Sequence, residues 1–307
     1  MNDFFRWIFI GSNGIRAGWR LLIYAAIVAA IAEIDVEAFH LVFHAYPAAM
    51  DGHSLRPSVG LFDLALFAVM LCGAWVMSKI ERRPLSLYGL PVRDAFRGNF
   101  WIGVLFGSVA ITGVLLCMLV VGAFRIDALA TTSIAALEAA ILWALAFLCV
   151  GLSEEFMFRG YVQFTLTTGV GFWIAAAITS LLFGVLHLGN SGENPLGIVA
   201  IICFALFHCV TLRQTGNLWM SVGFHATWDW GESFFYGVPD SGTTTWHALF
   251  ATTFQGPAWL TGGKDGPEGS VLALLAVLIM TLIVFRLYPT AQYHTTAGAP
   301  AAGRSEG

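Results

Sequence analysis

Charged residues are scarce in this sequence, at 11% of 307 residues against roughly a quarter in soluble domains, and that scarcity rules out an ordinary water-soluble domain. No long run of lysine and arginine is present and the net charge is −4, so nothing is placed to neutralise a phosphate backbone, and nucleic acid is excluded as a partner. The five cysteines, Cys72, Cys117, Cys149, Cys203 and Cys209, lie in apolar stretches and form no CxxC pair. They read as packing or lipid-facing residues rather than as metal or redox centres. No HExxH helix and no GxSxG elbow occurs, which removes the local signatures of soluble zinc proteases and of serine hydrolases. Ser153 and Ser221 accordingly read as packing residues. The chain shows no internal repeat and does not end in a CaaX sequence.

What the chain does have is apolar surface. It is 58% hydrophobic, with a mean hydropathy of +0.76. A membrane crossing takes about 20 apolar residues. Eight candidate spans follow, at about 18–34, 60–80, 100–122, 134–152, 172–188, 195–212, 216–236 and 270–288. The fold class expected is all-α, a polytopic bundle forming one transmembrane domain over 1–294 with a disordered tail over 295–307. The aromatic stretch from Thr243 to Leu260 is expected outside the membrane, as an interfacial or re-entrant segment.

Placing the N-terminus inside puts Arg6, Arg16, Arg20, Lys79, Arg82, Arg83, Arg93, Arg97, Arg159, Arg213, Arg286 and Arg304 on or near the cytoplasmic side, with only Arg56, Arg125 and Lys264 opposite. Both termini are then cytoplasmic, and compact loops point to a bacterial inner membrane. A rival reading makes Arg16 to Ala32 a secretory signal, which would remove the first span and no motif. The link from Glu81 to Arg97 reads as an amphipathic segment on the membrane surface. Gly103 and Gly107 form a small-xxx-small step suited to close helix packing.

Ionisable side chains in such spans cost about 2.5–3.5 kcal/mol each and ask for a function. Three groups stand out. In the first, Glu155 and Arg159 are four apart and share a helix face as an ion pair, while Glu154 is rotated about 100° away and stays free for chemistry. The second runs from Phe183 to His187. The third sets His225 and Asp229 four apart on one face, suited to metal ligation or to an oriented imidazole. Two chemistries are open: a carboxylate and histidine activating water, or two histidines and carboxylates holding Zn2+ through Glu154, His187, His225 and Asp229. His208 has no acid within a helical turn and reads as packing. His40, His44, His53 and His247 have no evident partner, and Glu232 reads as solvated or capping. The expected spans set Glu154 and His187 at opposite ends of consecutive helices, so convergence requires a shifted boundary or a broken helix.

The ordered triple EExxxR (Glu154, Glu155, Arg159), FxxxH (Phe183, His187) and HxxxN/D (His225, Asp229) resembles the CAAX-protease and bacteriocin-processing (Abi, CPBP) family of intramembrane proteases. The resemblance covers about 80 residues, within a catalytic core at about 134–235. It implies an endopeptidase acting on membrane-associated peptides or proteins, its site opening to the cytoplasm. Glu154 and His187 would activate water, His225 and Asp229 would stabilise the oxyanion or complete a metal site, and Glu155, Arg159 and Phe183 would support them. The last motif position is often Asn in the family, and an ionised Asp229 only accepts hydrogen bonds. The alternative function is a non-enzymatic scaffold or bacteriocin-immunity protein binding a peptide in the same cavity.

Overall fold

The apolar runs of the sequence form long helices because a lipid surrounding leaves backbone polar groups no partner outside their own segment. The computed structural model describes residues 8–11, 14–43 (backbone only for 34–43), 59–190, 192 and 194–295. The helices are α1 (Ala17–Phe43), α2 (Val59–Glu81), α3 (Gly98–Val120), α4 (Ser133–Arg159), α5 (Tyr161–Val170), α6 (Phe172–His187), α7 (Pro195–Thr215), α8 (Trp219–Trp230), α9 (Ala258–Thr261) and α10 (Val271–Leu287). A π-helical turn, Gly231–Tyr236, prolongs α8. The expected tail beyond Thr295, together with Arg6, His44, His53, Arg56, Arg304 and the side chain of His40, falls outside the described residues.

Helices thus occupy the positions of all eight expected spans. Among the described residues, four stretches are long and apolar enough to cross a membrane: Val59–Glu81, Gly98–Val120, Ser133–Val170 and Pro195–Thr215. The apolar helices α6 and α10 are shorter, at 16 and 17 residues. Large apolar side chains stay exposed around the outside, among them Leu105, Leu116, Leu145, Leu186, Leu278 and Leu282. Meanwhile Glu155, Arg159, His208 and Glu232 are buried inside. Apolar surface outward and charge inward is the arrangement of an integral membrane protein.

Two features add local structure that the sequence pattern left open. The Thr243–Leu260 stretch contains a strand, β4 (Phe250–Phe254), which pairs antiparallel with β3 (Phe124–Leu129), a strand that the apolar pattern does not announce. Its alternation of half-buried and exposed residues supplies the period-2 surface that a strand needs. The first antiparallel pair is minimal, β1 (Ile10–Gly11) with β2 (Gly14–Ile15). The link after α2, expected as an amphipathic surface segment, forms two short 3-10 turns, Leu85–Tyr88 and Val92–Asp94. Tyr88 is buried at 1% exposure, and the Gly89 carbonyl accepts from Leu218 N–H at 2.8 Å, so this link is stitched to the start of α8.

The small-xxx-small step performs the packing expected of it. A Cβ on Gly103 would lie 2.1 Å from the Met220 carbonyl oxygen, one on Gly107 2.4 Å from that of Phe224, and one on Gly223 2.3 Å from that of Phe100. The backbones of α3 and α8 are therefore in contact, which fixes α8, the helix that carries the third motif. Gly151 brings α4 nearly as close on the other side, 3.2 Å from the Val222 carbonyl for the same virtual atom. Replacing Gly223 with Leu should lower the thermal unfolding midpoint in detergent by the equivalent of about 1–3 kcal/mol or more. Gly113→Ala, where a Cβ meets nothing within 4 Å, should leave it unchanged or slightly raised.

Candidate functional site

The chain reaches the site by a broken helix, as convergence required. α4 runs on past the expected limit at 152 to Arg159, and Gly160 interrupts it where a Cβ would lie 2.4 Å from the Phe156 carbonyl oxygen. The ten residues of α5 carry the chain onward before Gly171, with φ of 83°, reverses it. From Phe172 to Phe183 α6 then rises about 17 Å, close to the roughly 15 Å that α5 added. The return brings the Phe183 ring to 5.0 Å from Phe158 and to 4.7 Å from the Arg159 guanidinium.

The anchor of the site is Glu155, whose side chain is fully buried. Its Oε1 lies 3.4 Å from the Arg159 guanidinium, as the i,i+4 spacing predicts, and also accepts from His225 Nδ1 at 2.9 Å. Glu155 therefore sets the orientation of His225, a role the sequence left to Asp229. With Nδ1 committed, His225 Nε2 is the ring atom that faces Glu154 Oε2 at 3.6 Å and Asp229 Oδ2 at 3.5 Å. Glu154 keeps 28% of its side chain exposed, so it is open to water while its neighbour is not.

His187 is fixed in the same manner. Its Nδ1 lies 2.8 Å from the Phe183 carbonyl oxygen, which can only accept, so Nδ1 is the N–H and Nε2 is left with its lone pair. Glu154, His187, His225 and Asp229 all line one cavity of about 690 Å3, bounded by apolar side chains including Phe62, Leu66, Phe147 and Phe204. All four candidates thus share one cavity, and Phe183 and Phe158 form part of its wall.

Two residues that sequence reasoning missed also stand here. Asp63 of α2 lines the cavity and accepts from Ser153 Oγ at 2.6 Å, directly beside Glu154. An acid inside an apolar span was its available signal. His208, expected to be simple packing, lies with Nε2 3.9 Å from Glu155 Oε1 and stacks on His225 with ring centroids 5.7 Å apart. Nothing local announces it, because its acid partner comes from another helix. Ser221 shares a hydrogen bond with Thr211 at 2.6 Å and is fully buried, in keeping with a packing role. Glu232, expected to be solvated or capping, is instead fully buried, with neither carboxylate oxygen hydrogen-bonded among the described residues.

His187 and His225 have their Nδ1 atoms held by a carbonyl and a carboxylate, which leaves Nε2 of each ring as the nitrogen available to water or a ligand, with Glu154 and Asp229 within 3.6 Å of that of His225. Among the described residues the donor atoms that converge within 4.8 Å of one another form two groups other than the four candidates, Glu155 with His208 and His225, and Asp229 with Asp240 and Glu268.

A helical bundle with lipid-facing apolar surface and a recessed carboxylate and histidine centre defines an integral membrane protein with hydrolytic equipment. The family model described as Rce1-like, type II CAAX prenyl endopeptidase, matches residues 135–231, the stretch that carries all three motifs, so this part of the chain is similar to the CAAX proteases. No curated protein and no solved structure matches the chain significantly.

Substituting Glu155 with Gln leaves the buried Arg159 guanidinium without a counter-charge. Arg159 Nε and Nη2 already lack hydrogen-bond partners among the described residues. Stability should fall by about 3–5 kcal/mol. Glu154→Gln, at a part-exposed position, should leave the unfolding midpoint within about 0.5 kcal/mol of the parent, and thermal melts of both variants in the same detergent check the contrast.

Proposed function

We propose that the chain is an intramembrane endopeptidase in which Glu154 activates water for attack on a peptide bond of a membrane-associated peptide or protein. The observation that carries the reading is the shared cavity, where a part-exposed Glu154 lies 3.6 Å from His225, and His187 lines the same space, both histidines with Nδ1 already committed. Glu154 takes a proton from the water as its oxygen bonds to the scissile carbonyl carbon, and returns that proton to the leaving amine. His187 Nε2, with its lone pair, accepts from the same water and aligns it. His225 is held by Glu155 so that Nε2 faces the reacting centre. As an N–H it donates to the developing oxyanion; as a bare nitrogen it ligates a metal. Asp229, which only accepts while ionised, steadies that ring from one helical turn away.

A bound divalent ion would be held by Glu154, His187, His225 and Asp229, and would supply Lewis acidity and a more acidic water. The apolar cavity wall suits a substrate whose flanking part is hydrophobic or lipid-anchored. The distribution of Lys and Arg supports cytoplasmic termini, and a bacterial inner membrane is the setting proposed.

Comparison of membrane peptides from cells bearing the parent and the Glu154→Gln variant tests the reading and names substrates. Cleavage should fall by about 10^2–10^4-fold in the variant; a folded variant that still cuts what the parent cuts removes Glu154 from the mechanism. Elemental analysis of purified parent and His187→Ala protein separates the two chemistries. Stoichiometric zinc that disappears with His187 selects the metal-assisted route, and its absence from active protein selects the metal-free one.

A further inference from the structure

Beyond His225, the same cavity is lined by a second group of acids. Asp229, Asp240 and Glu268 offer carboxylate oxygens within 4.8 Å of one another, and Asp240 and Glu268 line the cavity beside Asp229. They come from three parts of the chain: the end of α8, the loop after the π-helical turn, and the 3-10 turn Pro267–Gly269. Among the described residues no lysine or arginine forms an ion pair with Asp240, Glu268 or Glu232. Like charges gathered this closely repel, and burial makes the repulsion costlier.

Glu232 gives the independent sign that something is bound there. It sits in the first turn of the π-helical segment with no exposed surface, and neither of its oxygens has a hydrogen-bond partner among the described residues. It follows Asp229 by three residues on the continuous helix and so shares its face, and the neighbouring charges that act on it are those of Glu268, Asp240, Asp229 and Asp265. An unbonded carboxylate buried among four others is a large unmet demand for positive charge.

The other acids are already aimed. Glu268 Oε1 accepts from Trp228 Nε1 at 3.1 Å, and Oε2 accepts from the Ser241 hydroxyl at 2.8 Å and the Ser241 N–H at 3.1 Å. Asp240 Oδ2 accepts from Ser233 Oγ at 2.9 Å. Carboxylates steadied by donors of this kind are the usual outer shell of a metal site.

We propose that Asp229, Asp240 and Glu268, with Glu232 beside them, form a binding site for one hard divalent cation, of the calcium or magnesium class, on the Asp229 side of the cavity. All its donors are carboxylate oxygens, which favour Ca2+, Mg2+ or Mn2+ over zinc. The cation ties the loop and turn that bear Asp240 and Glu268 to the end of α8. It shares Asp229 with the proteolytic site, while Glu232, Asp240 and Glu268 have no part in the proposed cleavage step.

The test uses the full-length chain, purified in detergent and stripped with EDTA, titrated calorimetrically with CaCl2, MgCl2 and MnCl2 in the absence of substrate. At least one of the three should bind with one-to-one stoichiometry and Kd below about 1 mM. The same cation should raise the unfolding midpoint. Glu232→Gln and Glu268→Gln should weaken binding at least tenfold, whereas Glu154→Gln and His187→Ala should leave it intact, so that loss of this site and loss of proteolysis are separately visible. In EDTA, Glu232→Gln should be at least as stable as the parent, and the order should reverse once the cation is added. Absence of binding by all three cations in the parent overturns the proposal, as does unchanged affinity in both carboxylate variants. Should those variants fail to fold, the parent's own titration and cation-dependent melting still decide the matter.

Discussion

The buried carboxylate of Glu155 is the point on which the centre of this protein rests. It sits in a low-dielectric surrounding, where a lone charge is expensive, and it is tolerated because Arg159 lies one helical turn away and the His225 imidazole bonds to it from α8. Two helices are thereby joined through one oxygen atom, Oε1. That junction leaves Glu154, the next residue, on a different azimuth of α4, where water reaches it. Adjacent glutamates thus divide structural and chemical work by rotation alone.

The helices themselves hold that junction in place. Backbone contact between α3 and α8 through Gly103, Gly107 and Gly223 fixes the height of His225, and the approach of α4 at Gly151 fixes that of Glu154. In lipid, where apolar side chains gain little by leaving the solvent, such close contact is the main source of helix association. The glycines and the buried ion pair therefore serve one purpose, setting two motifs at one depth.

Much of the site was legible in the sequence because its motifs are local. The spacing of Glu155 and Arg159 gave their pairing, and the four-residue step from His225 placed Asp229 on the same face. The helix positions followed from hydropathy, since backbone satisfaction in lipid leaves few alternatives. What was hidden depends on contacts between distant segments: the bond from Glu155 to His225, the stacking of His208, and the pairing of β3 with β4. The reversal at Gly171 was hidden for another reason. The charged run from Glu154 to Arg159 interrupts the apolar pattern and residues 161–170 are less apolar than the helix before them, so hydropathy alone placed the end of α4 too early.

The packing also decides how the walls of the cavity are set. With α3, α4 and α8 in contact backbone to backbone, the wall bearing Glu154 and His225 is positioned by main chain rather than by side chains. A further wall is α6, which meets α4 through Phe158, Phe183 and Arg159 and seats on α7 at Gly184, where a Cβ would lie 2.5 Å from Ile202 Cγ1. The room between Glu154 and His187 therefore depends on ring contacts on one side as much as on glycine seams on the other.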